Sequence, residues 1–195
     1  MQRTNRQRPT APAPSARLDA EGWLAGSQRI ESPNWDERPA GSVVSLLVIH
    51  NISLPPGTFR GDDVLRLFTN CLDPAAHPFY ASIVTLRVSS HFFVRRNGAL
   101  IQFVACNRRA WHAGESLWKG RTRCNDFSIG VELEGTDERA YTARQYVRLA
   151  RLLRLLRHRY PLHDVAGHSD IAPGRKTDPG PAFDWKRFRT LAGLA

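Results

Sequence analysis

Cysteine is scarce in this chain: Cys71, Cys106 and Cys124 make three, an odd number with no Cys-x-x-Cys spacing among them. That excludes a disulfide framework or a cysteine zinc site and fits a reducing compartment. Lysine is scarcer relative to its charge partner, since Lys119, Lys176 and Lys186 are the only lysines and the formal net charge of +10 comes almost wholly from arginine. A basic surface favours polyanions, nucleic acid and anionic cell-wall fragments alike, and does not choose between them. Long apolar runs are missing as well: nothing approaches the roughly 20 residues needed to span a bilayer. The first twenty residues hold four arginines and three prolines but no continuous apolar h-region of a secretory signal. Residues 1–20 therefore read as a disordered basic arm on a soluble, non-exported protein, and residues 21–195 as one domain with a core of its own. No internal repeat is visible.

What is present reads as strands interleaved with helices. SVVSLLVIH, from Ser42 to His50, is a nearly continuous apolar, β-branched run of strand length, the pattern of a strand buried on both faces. It is stopped by Pro55, Pro56 and Gly57, which leaves His50 at the rim of a central strand, where open sheets carry their sites. A short helix is expected around Asp62 to Asn70. The segment from Ser89 to Ala105 reads as two strands joined at Asn97-Gly98, a strong hairpin signal. In FSIGVELEG, Ile129, Val131 and Leu133 face one way and Glu132 and Glu134 the other. Thr142 and Gln145 fit a capping box, followed by helical periodicity with Tyr146, Leu149, Leu153 and Leu156 on one stripe and arginines on another. A closing helix is expected from Trp185 to Leu194. These elements predict an α/β fold of mixed α+β type, a central mixed sheet flanked by helices.

Several side chains could carry chemistry. His50, on its strand rim, and His168 and Asp178, which bracket the turn-rich stretch GHSDIAPGRKTD, form a candidate nitrogen and oxygen ligand set for a catalytic zinc that keeps one position open. Such a metal would lower the pKa of a water toward 7 and polarise a carbonyl. Glu132 and Glu134 sit about 7 Å apart on one strand face, so one could be a general base beside the metal, or the two a glycosidase acid and base. Lys176 could donate to an oxyanion. Trp111 and His112 could line a groove for a sugar or peptide, with Arg121 or Arg123 pairing a substrate carboxylate. His91 is expected in strand packing, and His77, His158 and His163 carry no assigned role. A binding module for a polyanion, built on the arginine-rich helix, remains the non-enzymatic alternative.

The segments NISLPPG, WHAG, RCNDFSIGVELEG and KTDPGPAFDW, together with the sequence around them from about Glu21 to Phe188, resemble the amidase-2 family of zinc-dependent N-acetylmuramoyl-L-alanine amidases. T7-type phage lysozyme and the peptidoglycan recognition proteins belong to the same wider group. The likeness is to the cytoplasmic branch that recycles anhydromuropeptides. It implies one zinc per chain held by His50, His168 and Asp178, Glu132 as the catalytic glutamate and Lys176 as the transition-state-stabilising lysine. It further implies that Asn51, Trp111, His112 and Arg123 line the substrate pocket. The partner it implies is an anhydromuropeptide, acted on by a monomer that binds neither nucleic acid nor membrane. Two departures stand out: the basic arm, and a segment from Tyr160 to His168 that looks two residues shorter.

Overall fold

The apolar run after Ser42 forms the centre of the sheet, and its neighbours are dictated by burial on both faces. A computed structural model describes residues 17–194 of the chain. Its strands are β1 (Gln28–Arg29), β2 (Trp35–Glu37), β3 (Leu46–Ile52), β4 (Phe92–Val94), β5 (Leu100–Gln102), β6 (Arg108–Ala110), β7 (Leu117–Trp118), β8 (Arg121–Thr122), β9 (Ser128–Glu134) and β10 (Asp164–Gly167). The helices are α1 (Asp63–Phe68), α2 (Ala143–Arg157), the single turn α3 (His168–Ile171) and α4 (Trp185–Ala192). Six strands make the main sheet in the order β1-β5-β4-β9-β3-β10. It is mixed: β3 pairs in parallel with both β9 and β10, whereas β4 and β5 are antiparallel.

Alternation along β3 assigns the two faces. Leu47 and Ile49 join Ile129, Val131 and Leu133 in a cluster closed by Leu149, Leu153 and Leu156 of α2 and Phe188 of α4. Leu46 and Val48 face the other way, against Cys124, Phe127, Ala166 and Ile171. That second face also carries His50. The α2 start is the expected capping box, with Thr142 accepting from the Gln145 amide and Gln145 reaching back to the Thr142 amide. At the hairpin Gly98 has φ 83°, the left-handed conformation that the turn requires.

Four expectations need adjusting. The β3 strand does not end at His50 but continues through Ile52. Both faces of β9 are buried, so its glutamates do not lie on a solvated face. The stretch around GHSD is not wholly a loop, because it contains β10 and the turn of α3. Residues 17–20, assigned by composition to the arm, are joined to the body: Leu18 bridges to Leu24 and packs on the main core, and the Arg159 guanidinium donates to the carbonyls of Asp19 and Ala20. The remainder of the arm lies outside the described residues.

His91 is fully buried and, as expected, belongs to strand packing. Its Nδ1 accepts from the Gly130 amide at 3.0 Å, which leaves Nε2 to donate to the Arg108 carbonyl at 3.1 Å. Burial, then the nearby Arg38 charge, pushes its pKa down to about 3. The folded protein therefore refuses a proton that the unfolded chain takes up below about pH 6.5, so stability falls as pH drops from there toward about 3. The expected slope from this one group is about 1.4 kcal/mol per pH unit over that window. Denaturant titrations at stepped pH should show it, and a folded His91→Gln variant should lose that share of the slope; an unchanged slope would refute the assignment.

Candidate metal centre and active-site cleft

Parallel pairing of β3 with β9 sets His50 directly beside Glu132. In β10, Gly167 pairs with Ile49, so His168, the next residue, emerges in line with His50. Asp178 is brought back to the same point by a loop with its own internal fastening. The Gly167 amide donates to Asp170 Oδ2 at 2.7 Å, the Ser169 amide to the Asp178 carbonyl at 2.9 Å, and the Lys176 amide to the Ala172 carbonyl at 3.0 Å. Proline and glycine in this segment thus serve a folded-back turn, not a loose connection.

Three atoms converge there. His50 Nδ1 lies 2.9 Å from His168 Nδ1, and each is 3.1 Å from Asp178 Oδ2. On its far side His168 Nε2 meets the Ala113 carbonyl at 3.1 Å, and a carbonyl can only accept. With Nε2 committed to that carbonyl, the Nδ1 of His168 is the nitrogen left to face the carboxylate oxygen and to ligate a cation placed between them. Burial pushes His50 down to about 4, against the opposing pull of Asp178, so its imidazole is neutral and able to ligate at pH 7. Four ligands at 2.0–2.1 Å from zinc stand about 3.3 Å apart, close to the observed spacing. Two imidazoles and one carboxylate, with the remaining side open to a cleft, fit a catalytic zinc better than a closed structural one.

Glu132 is 9% exposed, and its Oε2 is buried without a hydrogen-bond partner. Burial, reinforced by the Asp178 charge, raises its pKa well above the usual carboxylate range, while Lys176 acts in the opposite sense. Glu134, two residues on, is engaged elsewhere, since its Oε2 accepts from the Arg96 amide at 2.8 Å. The two acids are therefore not an equivalent pair, and Glu132, not Glu134, lines the cleft. The glycosidase alternative loses its second carboxylate.

The cleft has a volume of about 620 Å³ and is lined by His50, Asn51, Trp111, Glu132, His168, Lys176 and Asp178, among others. Asn51 donates from Nδ2 to Asp137 Oδ1 at 2.7 Å. Sequence reasoning missed Asp137, and also the apolar wall formed by Leu54, Phe68, Phe79 and Ile83. Of that wall only Phe79 belongs to the Pro-interrupted segment DPAAHPFY, so the sequence carried little signal for the rest. One expected pocket residue is placed differently, and another lies deep. His112 lines the cleft from a buried position, with its Nδ1 2.9 Å from His50 Nε2. Arg123 does not line the cleft: its guanidinium pairs with Asp126 at 2.8 Å, and its side chain is 71% exposed.

A mixed sheet with a His-His-Asp cluster that could hold a metal ion, beside a buried glutamate at its strand ends, is the arrangement of a hydrolase. The family described as N-acetylmuramoyl-L-alanine amidase matches residues 40–181, and the chain belongs to it. It is 57% identical over 173 residues to the 1,6-anhydro-N-acetylmuramyl-L-alanine amidase AmpD of Escherichia coli strain K12, covering 88% of this chain and 94% of that one. A crystal structure of a selenomethionine AmpD derivative superposes with a TM-score of 0.87 at 56% identity, covering 91% of this chain and 99% of that one. The amidase AmiD from E. coli, solved with the substrate anhydro-N-acetylmuramic acid-L-Ala-D-gamma-Glu-L-Lys, superposes at 0.58 with 29% identity, covering 91% and 66%.

The convergence of His50, His168 and Asp178 predicts that zinc raises the melting temperature of chelator-stripped protein. Zinc at about a thousand times its Kd should add about 4 kcal/mol to stability, because the unfolded chain offers no assembled site. Differential scanning calorimetry should show that Asp178→Ala loses this shift; an undiminished shift in that variant would place the metal elsewhere.

Proposed function

We propose that this amidase uses a zinc ion held by His50, His168 and Asp178 to hydrolyse the amide between the lactyl group of 1,6-anhydro-N-acetylmuramic acid and L-alanine in recycled cell-wall muropeptides. The observation that carries the reading is the side-by-side placement of His50 and Glu132 on paired strands, with the three converging donors lining the cleft. The named activity of the AmpD relatives supports the substrate class. When bound, the metal supplies Lewis-acid polarisation of the carbonyl and acidifies a water.

The chain's own groups divide the remaining work. Glu132, buried and unpartnered at Oε2, takes the proton from the attacking water and returns it to the leaving amine of L-alanine. Its raised pKa suits both halves of that shuttle, since a group that holds a proton in a dry site can also release it to a stronger base. Lys176, exposed on the loop that carries Asp178, donates to the oxyanion of the tetrahedral species. Asn51, fixed by Asp137, and Trp111 hold the substrate, and the apolar wall excludes water from the reacting bond. Cys71, Cys106 and Cys124 are free thiols, which supports action in the reducing cytoplasm. No described helix is long and apolar enough to cross a membrane.

Turnover of a purified anhydromuropeptide, with products identified by mass, tests this reading. The expected products are the anhydro sugar and a peptide beginning with L-alanine. Glu132→Ala and Lys176→Ala should each lower kcat by about 10²- to 10⁴-fold while zinc remains bound. Activity that survives exhaustive chelation, or cleavage of a glycosidic bond, would sink it.

A further inference from the structure

A metal site needs each histidine in the tautomer that turns a lone pair toward the ion, and that choice is made by the hydrogen bond at the opposite ring nitrogen. For His168 the partner is the Ala113 carbonyl. For His50 the opposite nitrogen meets another imidazole, which could either give or take a proton. The answer lies one step further back.

Ser128 Oγ donates to the Cys124 carbonyl at 2.6 Å, and a hydroxyl has one proton to give. Its contact with His112 Nε2 at 3.2 Å must then be one that Ser128 accepts, so His112 carries its proton on Nε2. Neutral His112 consequently has a lone pair on Nδ1, and at 2.9 Å this accepts from His50 Nε2. His50 is left with its lone pair on Nδ1, facing His168 and Asp178. The direction of every bond in the row follows from one carbonyl that cannot donate.

The surroundings hold this row in place. Ser128 is 0% exposed and His50 1%. The Asn125 side-chain carbonyl accepts from the amides of both His112 and Ala113, at 3.2 and 2.8 Å. Arg38 Nη2 donates to the Ser128 carbonyl at 2.8 Å. The His112 ring lies against β9 at Gly130, where an added Cβ would meet His112 Cγ at 2.5 Å, so only glycine leaves room for it.

We propose that His112 is a positioning residue: with its tautomer fixed by Ser128, it presents the Nδ1 lone pair of His50 to the metal, while the adjoining Ala113 carbonyl does the same for His168. One dipeptide thereby sets both imidazole ligands. The inference rests on the metal reading of the site and goes beyond it, because it gives His112, which lines the cleft, a part in supporting the ion.

The test compares wild type with Ser128→Ala, His112→Phe and His112→Gln, where the glutamine oxygen can replace the lost acceptor. Zinc affinity is measured by competition with a chromogenic chelator, and the tautomer of His50 in metal-free protein by long-range proton–nitrogen correlation NMR. Zinc binding is expected to weaken about 10- to 100-fold in His112→Phe and about 10-fold in Ser128→Ala, with partial recovery in His112→Gln. Metal-free wild type should show His50 protonated at Nε2, and His112→Phe a mixture of both tautomers. Unchanged affinity in folded Ser128→Ala and His112→Phe, or wild-type His50 protonated at Nδ1, would overturn the proposal. If His112→Phe fails to fold, Ser128→Ala decides by the same readouts. Wild type that binds no zinc would instead overturn the metal reading, and the nitrogen shifts would still judge the tautomer.

Discussion

The in-register parallel pairing of β3 with β9 is the constraint on which the site depends. A slip of one residue would turn either His50 or Glu132 to the α2 face, where Leu149 and Leu153 fill the space. Burial on both faces makes such a slip expensive, so the pairing is strongly specified. Two polar side chains with different proposed roles, one to ligate and one to carry a proton, are thus fixed side by side by apolar residues outside the cleft. The third strand of this centre, β10, repeats the device and delivers His168.

Dehydration of this corner gives it its chemical character. Removed from water, Glu132 has its pKa raised and His50 has its pKa lowered, each by burial first. A raised pKa makes the Glu132 carboxylate a stronger base, and a lowered one leaves the His50 imidazole neutral at pH 7, as the proposed roles of the two require. The formal charge of +10 bears little on this, because the arginines of α2 at 144, 151 and 154 are solvent-exposed on the outer face of that helix. Charge that matters to the site is local: Lys176 and Asp178 pull Glu132 in opposite directions.

Local signals in the sequence were legible and non-local ones were not. The Asn97-Gly98 hairpin, the Thr142–Gln145 capping box and the buried run of β3 depend on neighbours within a few residues, and each stands where it was expected, apart from β3, which starts at Leu46 instead of Ser42 and runs on to Ile52. Four residues of Asp-Val-Ala-Gly carry too little pattern to announce β10, which exists because β3 offers it an edge. Alternation treated Glu132 and Glu134 alike, whereas the Arg96 amide, remote in sequence, separates them. The family likeness placed His50, His168, Asp178, Glu132 and Lys176 around one cleft. Arg123 is a different case, since its pairing with Asp126, three residues away, was a signal the sequence did contain.

The RCNDFSIG segment shows why motif membership alone does not assign a role. Cys124 contributes a carbonyl, Asn125 an anchoring amide oxygen, Asp126 a pair of ion contacts to Arg109 and Arg123, Ser128 a hydroxyl and Gly130 an absence of side chain. Of these five only Asp126 forms an ion pair, and none lines the cleft. Their common object is the segment that carries His112 and Ala113, and through it the orientation of two imidazoles. A ligand set of three residues therefore draws on a support several times its size. Substitutions in that support should act on the ion before they act on the substrate, because every bond they break lies on the far side of His50 and His168 from the cleft.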